Sequence, residues 1–144
     1  DDNFEQALID LGLDSGPLDN QVLTANIEYL TSLNVNGKNI ESLEGIKSFL
    51  SLTELDCANN YLSELDVSNM VNLQNLYCGS NYLLTNNIAN INGLLNTTGT
   101  INLTKLFCAD NNLSDLNISQ NIKNFLNKKY GECFKISTEV AGGY

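Results

Sequence analysis

The stretch from Leu52 to Ser68, LTELDCANNYLSELDVS, sets Leu52, Leu55, Cys57, Asn60 and Leu62 at fixed offsets. The same order returns as Leu73, Leu76, Cys78, Asn81 and Leu83, and again as Leu103, Leu106, Cys108, Asn111 and Leu113. Upstream, Leu30, Leu33, Val35 and Ile40 hold the same offsets, with Lys38 in the asparagine slot and Asn39 beside it. Successive copies begin 22 (52 − 30), 21 (73 − 52) and 30 (103 − 73) residues apart. A unit of this size cannot bury its own apolar face, so its repetition points to a stack in which each copy covers the next.

The spacing fits the leucine-rich-repeat consensus L-x-x-L-x-L-x-x-N/C-x-L. Within Leu55-Asp56-Cys57 alternate side chains face opposite ways, which sends Leu55 and Cys57 inward and Asp56 outward. The expected fold is an α/β solenoid: a leucine-rich-repeat right-handed superhelix with a parallel concave β-sheet. After each strand the chain turns inward and leaves backbone groups without sheet partners. A buried amide side chain can satisfy both donors and acceptors there, which assigns Asn60, Asn81 and Asn111 a structural role. About one residue in six is asparagine, well above ordinary usage.

The second half of the repeat, with Leu65 and Val67 matching Leu116 and Ile118, reads as a short extended segment on the convex side. The stretch YLLTNNIANINGLLNTTGTI runs about nine residues longer than its counterparts. It reads as an insertion over 84–101, bulging outward, with a helical turn near Ile88 to Leu95. The ends complete a single domain over 1–144. Residues 1–29 form an N-terminal cap, whose short helix has Phe4, Leu8 and Leu11 on one stripe and Gly12 as its stop. About four repeats follow over 30–119, and residues 120–144 form an irregular C-terminal cap resting on Phe125, Phe134 and Ile136.

The stretches NFEQALIDLGLD, QVLTANI, LNVNGKNIESLEGI and LTELDCANNYLSELDVSN closely resemble secreted leucine-rich-repeat proteins of the Bacteroidetes, and more distantly the internalins. The resemblance covers roughly residues 1–119; the long third copy and the tail after Ser119 depart from it. It implies a secreted or cell-surface bacterial protein, and an interaction or adhesion module.

The bulk numbers narrow the partners. The net charge is −10, from 17 acidic and 7 basic residues, a field that repels nucleic acid and anionic lipid surfaces. No apolar run approaches the ~20 residues that span a bilayer, so membrane insertion is not expected, and DDNFEQ lacks the basic start of a signal peptide. Histidine is absent, which removes the commonest general base and the usual zinc ligand. No cofactor, metal or catalytic residue is expected. Glu54 and Asp56 project from one strand, but a solvated acidic patch is the better reading of that pair than an acid–base couple.

Cys57, Cys78 and Cys108 share one inward position that Val35 fills in the first copy, so the position asks for a small apolar side chain. Neighbouring rungs lie ~4.8 Å apart, and distance alone leaves a disulfide open. Cross-linking parallel in-register side chains strains its dihedral angle, so reduced core thiols are the favoured reading, with a disulfide the alternative. Cys133 lies in the tail. The cysteine spacings fit no closed zinc site. Asp14, Asp19 and Asn20 crowd a loop that lacks the spacing of a calcium-binding loop and reads as a polar turn opened by Gly16 and Pro17.

The outward strand positions are the functional expectation: Asn34 and Asn36, Glu54 and Asp56, Asn75 and Tyr77, Lys105 and Phe107. Tyr77 and Phe107 fall on adjacent rungs, and exposed aromatics are enriched at binding hot spots. The plainer alternative is that they pack on each other or on the tail. The expected function is a non-catalytic module, monomeric, that binds a protein or glycan ligand through its concave face. The alternative is a structural spacer or self-associating subdomain of a larger surface protein.

Overall fold

The computed structural model describes residues 1–81, 94–109, 111 and 115–117. Helix α1 spans Asp2–Asp10. Asp1 is its N-cap, and one carboxylate oxygen accepts the Phe4 N–H at 2.8 Å, satisfying a donor that the first turn leaves free. The other oxygen accepts the N–H groups of Glu41 at 3.0 Å and Ser42 at 3.2 Å. One side chain therefore starts the helix and ties it to the first repeat.

The helix stops where Gly12 turns left-handed, with φ at 72°. Gly12 N–H donates to the Ile9 carbonyl and Leu13 N–H to the Leu8 carbonyl, both at 2.9 Å, which is the bond pair of a Schellman terminus. Phe4, Ala7 and Leu8 enter the core. Leu11, expected on the same stripe, is 47% exposed, because the chain turns back at Gly12 and Leu13 takes the inward place against the core. A single turn of helix, α2 (Thr24–Ile27), then buries Ile27.

The chain next lays down short strands: β1 (Ser32–Asn34), β2 (Glu54–Asp56), β3 (Leu65–Asp66), β4 (Asn75–Tyr77), β5 (Leu94–Asn96), β6 (Lys105–Phe107) and β7 (Asp115–Asn117). They form two parallel sheets, β1-β2-β4-β6 and β3-β5-β7. In the first sheet Leu33, Leu55, Leu76 and Leu106 stand opposite one another, which is the self-alignment of the sequence written in space. In the second sheet Leu65 faces Leu95, and Leu95 faces Leu116.

The second sheet reaches into the span 84–101 that the sequence marks as an insertion. β5 lies inside that span and pairs with β3, and the register runs on: Val67 N–H donates to the Asn96 carbonyl at 3.0 Å and Asn69 N–H to the Thr98 carbonyl at 2.8 Å. The helical turn expected near Ile88 to Leu95 therefore does not extend into Leu94–Asn96, which is strand. Asn81 precedes Leu95 by 14 residues where Asn60 precedes Leu65 by 5, so the extra nine (14 − 5) fall before β5. Residues 82–93, the C-terminal cap over 120–144 and Cys133 lie outside the described residues.

The core is a continuous column between the sheets. Val35, Cys57 and Cys78 have no exposure, and Leu33, Leu55 and Leu76 at most 1%. Burying one such leucine is worth roughly 1.5–3 kcal/mol relative to leaving it in water, and each is buried by its neighbours in the stack. At the N-terminal end Phe4 of α1 meets Phe49 with ring centroids 6.4 Å apart, which closes the column over the first repeat.

Candidate binding face

Strand alternation and register place the expected site residues in two rows on the outer face of the four-stranded sheet. One row is Ser32, Glu54, Asn75 and Lys105; the other is Asn34, Asp56, Tyr77 and Phe107. Asn36 follows β1 on the same side. Tyr77 and Phe107 stack, with ring centroids 4.9 Å apart and planes 6° from parallel. Phe107 is nevertheless 53% exposed, so the pair presents apolar surface as well as packing on itself. Beside it runs a strip of small residues, Ala58, Gly79 and Ala109. A Cβ on Gly79 would stand 2.9 Å from the Ala109 carbonyl oxygen, so the adjacent repeat leaves room only for glycine there.

The carboxylates on this face are held by amides. Asn36 Nδ2 donates to both oxygens of Asp56, at 3.1 and 3.2 Å, and Asn59 Nδ2 donates to Asn36 Oδ1 at 3.0 Å. Asp56 Oδ1 also accepts the Ala58 N–H at 3.1 Å. Asn75 Nδ2 donates to Glu54 Oε2 at 3.0 Å. Gly37 N–H donates to the Ala58 carbonyl at 3.1 Å, which fixes the turn after Asn36. Among the described residues the ion pairs are Lys38–Asp10 at 3.3 Å and Lys47–Asp66 at 2.6 Å; neither involves Glu54 or Asp56. Partial burial raises the Asp66 pKa, but hydrogen bonds from Lys47 and Ser68 outweigh it and hold the carboxyl below its usual range.

Two ladders support the face from below. Asn60 Oδ1 accepts the N–H groups of Lys38 at 2.9 Å and Ile40 at 3.1 Å, while its Nδ2 donates to the carbonyls of Val35, Cys57 and Ala58. Asn81 accepts from Leu62 N–H and donates to the carbonyls of Cys57 and Cys78. Asn111 accepts from Asn81 N–H and donates to the carbonyls of Cys78 and Cys108. Each amide thus binds its own repeat to the one before. The thiols of Cys57, Cys78 and Cys108 are free. Burial pushes all three thiol pKa values up, so they stay protonated at neutral pH and make poor nucleophiles or metal ligands.

The acidic loop after α1 is organised by carboxylates that accept backbone N–H groups. Asp14 accepts the Ser15 N–H and Asp19 the Gln21 N–H. Glu5 on α1 accepts the N–H groups of Asp19 at 2.6 Å and Asn20 at 2.8 Å. The Asp19 bond is the main reason its pKa lies below the ordinary value; the Asn20 bond adds to it and desolvation opposes it. Among the described residues no group of three or more metal-ligating side chains is assembled.

Two features were not picked out from the sequence. Glu5 is buried in a helix face that otherwise reads as apolar, and its partners are backbone groups that no side-chain pattern reveals. Leu50, Val71 and Ile101 form an exposed column, 69%, 46% and 61% accessible. Each lies two positions before a repeat leucine, a recurrence that the self-alignment contains.

No family model matches this chain, and no curated protein matches it. Among solved structures it is similar to an internalin, inlF, from Listeria monocytogenes, with a TM-score of 0.60 and 25% sequence identity. The match covers 84% of this chain and 37% of that one, so this chain spans little more than a third of the protein it resembles. The likeness supports an internalin-like leucine-rich-repeat fold. Among the described residues no helix is long and apolar enough to cross a membrane.

Proposed function

We propose that this chain is a non-catalytic binding or adhesion module of a secreted or cell-surface bacterial protein. It recognises a protein or glycan through the outer face of its four-stranded sheet, the side expected to be concave. The observation that carries this reading is the Tyr77–Phe107 stack, whose Phe107 ring is about half open to solvent, set among the polar side chains of Asn34, Asn36, Glu54, Asp56, Asn75 and Lys105. A rigid aromatic platform with oriented hydrogen-bonding groups beside it is the make-up of a hot spot. The internalin likeness supports an interaction role and an extracellular setting in the same direction. No cofactor enters this reading.

The test is a screen on glycan and protein arrays with the parent chain and with Tyr77→Ala/Phe107→Ala. Hits on the parent should weaken at least ~30-fold in the double variant, the loss that corresponds to ~2 kcal/mol at a hot spot, with circular dichroism unchanged. Hits retained at full strength would remove the face assignment. One observation favours a second reading, a self-associating unit: the apolar column of Leu50, Val71 and Ile101. Sedimentation at rising concentration separates the two, since the first expects a monomer and the second an assembly that Val71→Asp disperses.

A further inference from the structure

Resting on that binding face, we infer that its occupant is cationic: an arginine side chain on an exposed segment of a partner protein, seated across the Asp56 carboxylate and the side of Tyr77 turned away from Phe107.

Three observations converge on this site. First, Asp56 and Tyr77 are register neighbours on β2 and β4, one rung or ~4.8 Å apart along the sheet. Second, Phe107 on β6 covers one face of the Tyr77 ring; the strand order β1-β2-β4-β6 therefore leaves the opposite face on the Asp56 side. An aromatic face beside a carboxylate attracts cations twice over, through the ring quadrupole and through charge. Third, the charge is held in place by neutral donors. Asn36 fixes both Asp56 oxygens through one amide nitrogen and Asn75 fixes Glu54. Neither carboxylate has a lysine partner among the described residues. The face keeps both carboxylates in a set geometry with no ion pair to displace, since its one lysine among the described residues, Lys105, is paired to neither.

Arginine suits this arrangement better than lysine. A guanidinium is planar, stacks on a ring and donates in a fork that matches a carboxylate. Lys105 stands in the Glu54 row two rungs away, so it leaves the Asp56 end of the face as the seat for a positive group. The overall charge of −10 draws such a segment in from a distance.

The probe is a capped glycine–arginine–glycine peptide, titrated at low ionic strength against labelled protein and followed by NMR. A citrulline peptide serves as the neutral isostere. The arginine peptide should shift the Tyr77 ring and the side-chain amides of Asn36 and Asn75 saturably, and citrulline should bind at least ~10-fold more weakly. Asp56→Asn keeps an acceptor for the Ala58 N–H and should weaken the arginine peptide by a similar factor. Glu64→Gln removes the same charge from outside the four-stranded sheet and should change the affinity less than ~2-fold, as expected of a screened distant charge. The inference is overturned if citrulline matches arginine, if D56N behaves like E64Q, or if the shifts appear elsewhere or not at all. In those cases the array result with Tyr77→Ala/Phe107→Ala still decides the binding face itself: ligands lost there keep the face and remove only the cation.

Discussion

Asn60 satisfies backbone groups from two repeats at once. Its amide takes two N–H groups from the turn of the first repeat and gives hydrogens to carbonyls on both sides of the rung, with 1% of the residue exposed. No aliphatic residue can do this, and removing the amide strands buried donors and acceptors at ~1–3 kcal/mol each. Asn60→Ala should therefore lose roughly 3 kcal/mol, allowing for partial relaxation. Urea titration should show a lower midpoint at unchanged slope. Asn111→Ala, at a half-buried site, should lose less. The recurrence of asparagine at one offset made its position legible from the sequence. That each amide reaches back into the preceding repeat was not legible, because it depends on the rise between rungs rather than on residue order. The outward placement of Tyr77 and Phe107 follows from strand alternation alone; their mutual stacking was one of the alternatives the sequence left open, because ring orientation is not set by residue order.

Helix α1 is latched at both ends of its contact with the rest of the chain, by Asp1 on the first repeat and by Glu5 on the loop at Asp19 and Asn20. The Glu5 latch depends on ionisation. Its carboxyl lies below the ordinary value of 4.5 when docked, so the contribution is complete above that value and is lost as pH falls through the lowered folded one. Hydrogen exchange at the Asp19 and Asn20 amides should accelerate selectively in that acid window, and Glu5→Gln should remove the pH dependence while weakening the dock at neutral pH. The strands of the four-stranded sheet were legible because leucine, followed two positions on by valine or cysteine, marks the inward positions in each copy. β5 was not, for a physical reason. Where Val67 and Met70 fill the core of the second repeat, the third has Thr97 and Thr100, both fully buried. The Thr100 hydroxyl donates to the Thr97 carbonyl at 2.6 Å, so the polar residues fit the core by bonding locally while hiding the apolar pattern.

At the scale of the whole molecule, charge and topology pull in different directions. The stack is held by short-range contacts between neighbouring repeats, whereas 17 acidic residues against 7 basic ones repel one another over longer distances. The two ion pairs among the described residues are each about half exposed and contribute ~0–1 kcal/mol apiece. Screening should therefore relieve more repulsion than it removes attraction. Thermal melts should show the midpoint rising by a few degrees, roughly the effect of ~1 kcal/mol, between low and moderate sodium chloride. A falling midpoint would show that local pairs outweigh the net field. The internalin likeness covers 37% of that longer protein, and a short stack of this kind gains from each further rung placed upon it.

The turn after β1 bears on how this molecule ages. Asparagine followed by glycine is the sequence most prone to spontaneous deamidation, a ring closure in which the glycine nitrogen attacks the asparagine side-chain carbon and expels ammonia. At Asn36-Gly37 the attacking N–H is committed to the Ala58 carbonyl, and the Asn36 amide is held between Asp56 and Asn59. The geometry that orders the proposed binding face also keeps the reacting atoms from meeting. At this pair, chemical lifetime is thus set by how seldom the turn opens, and folding acts there as a preservative as well as a scaffold.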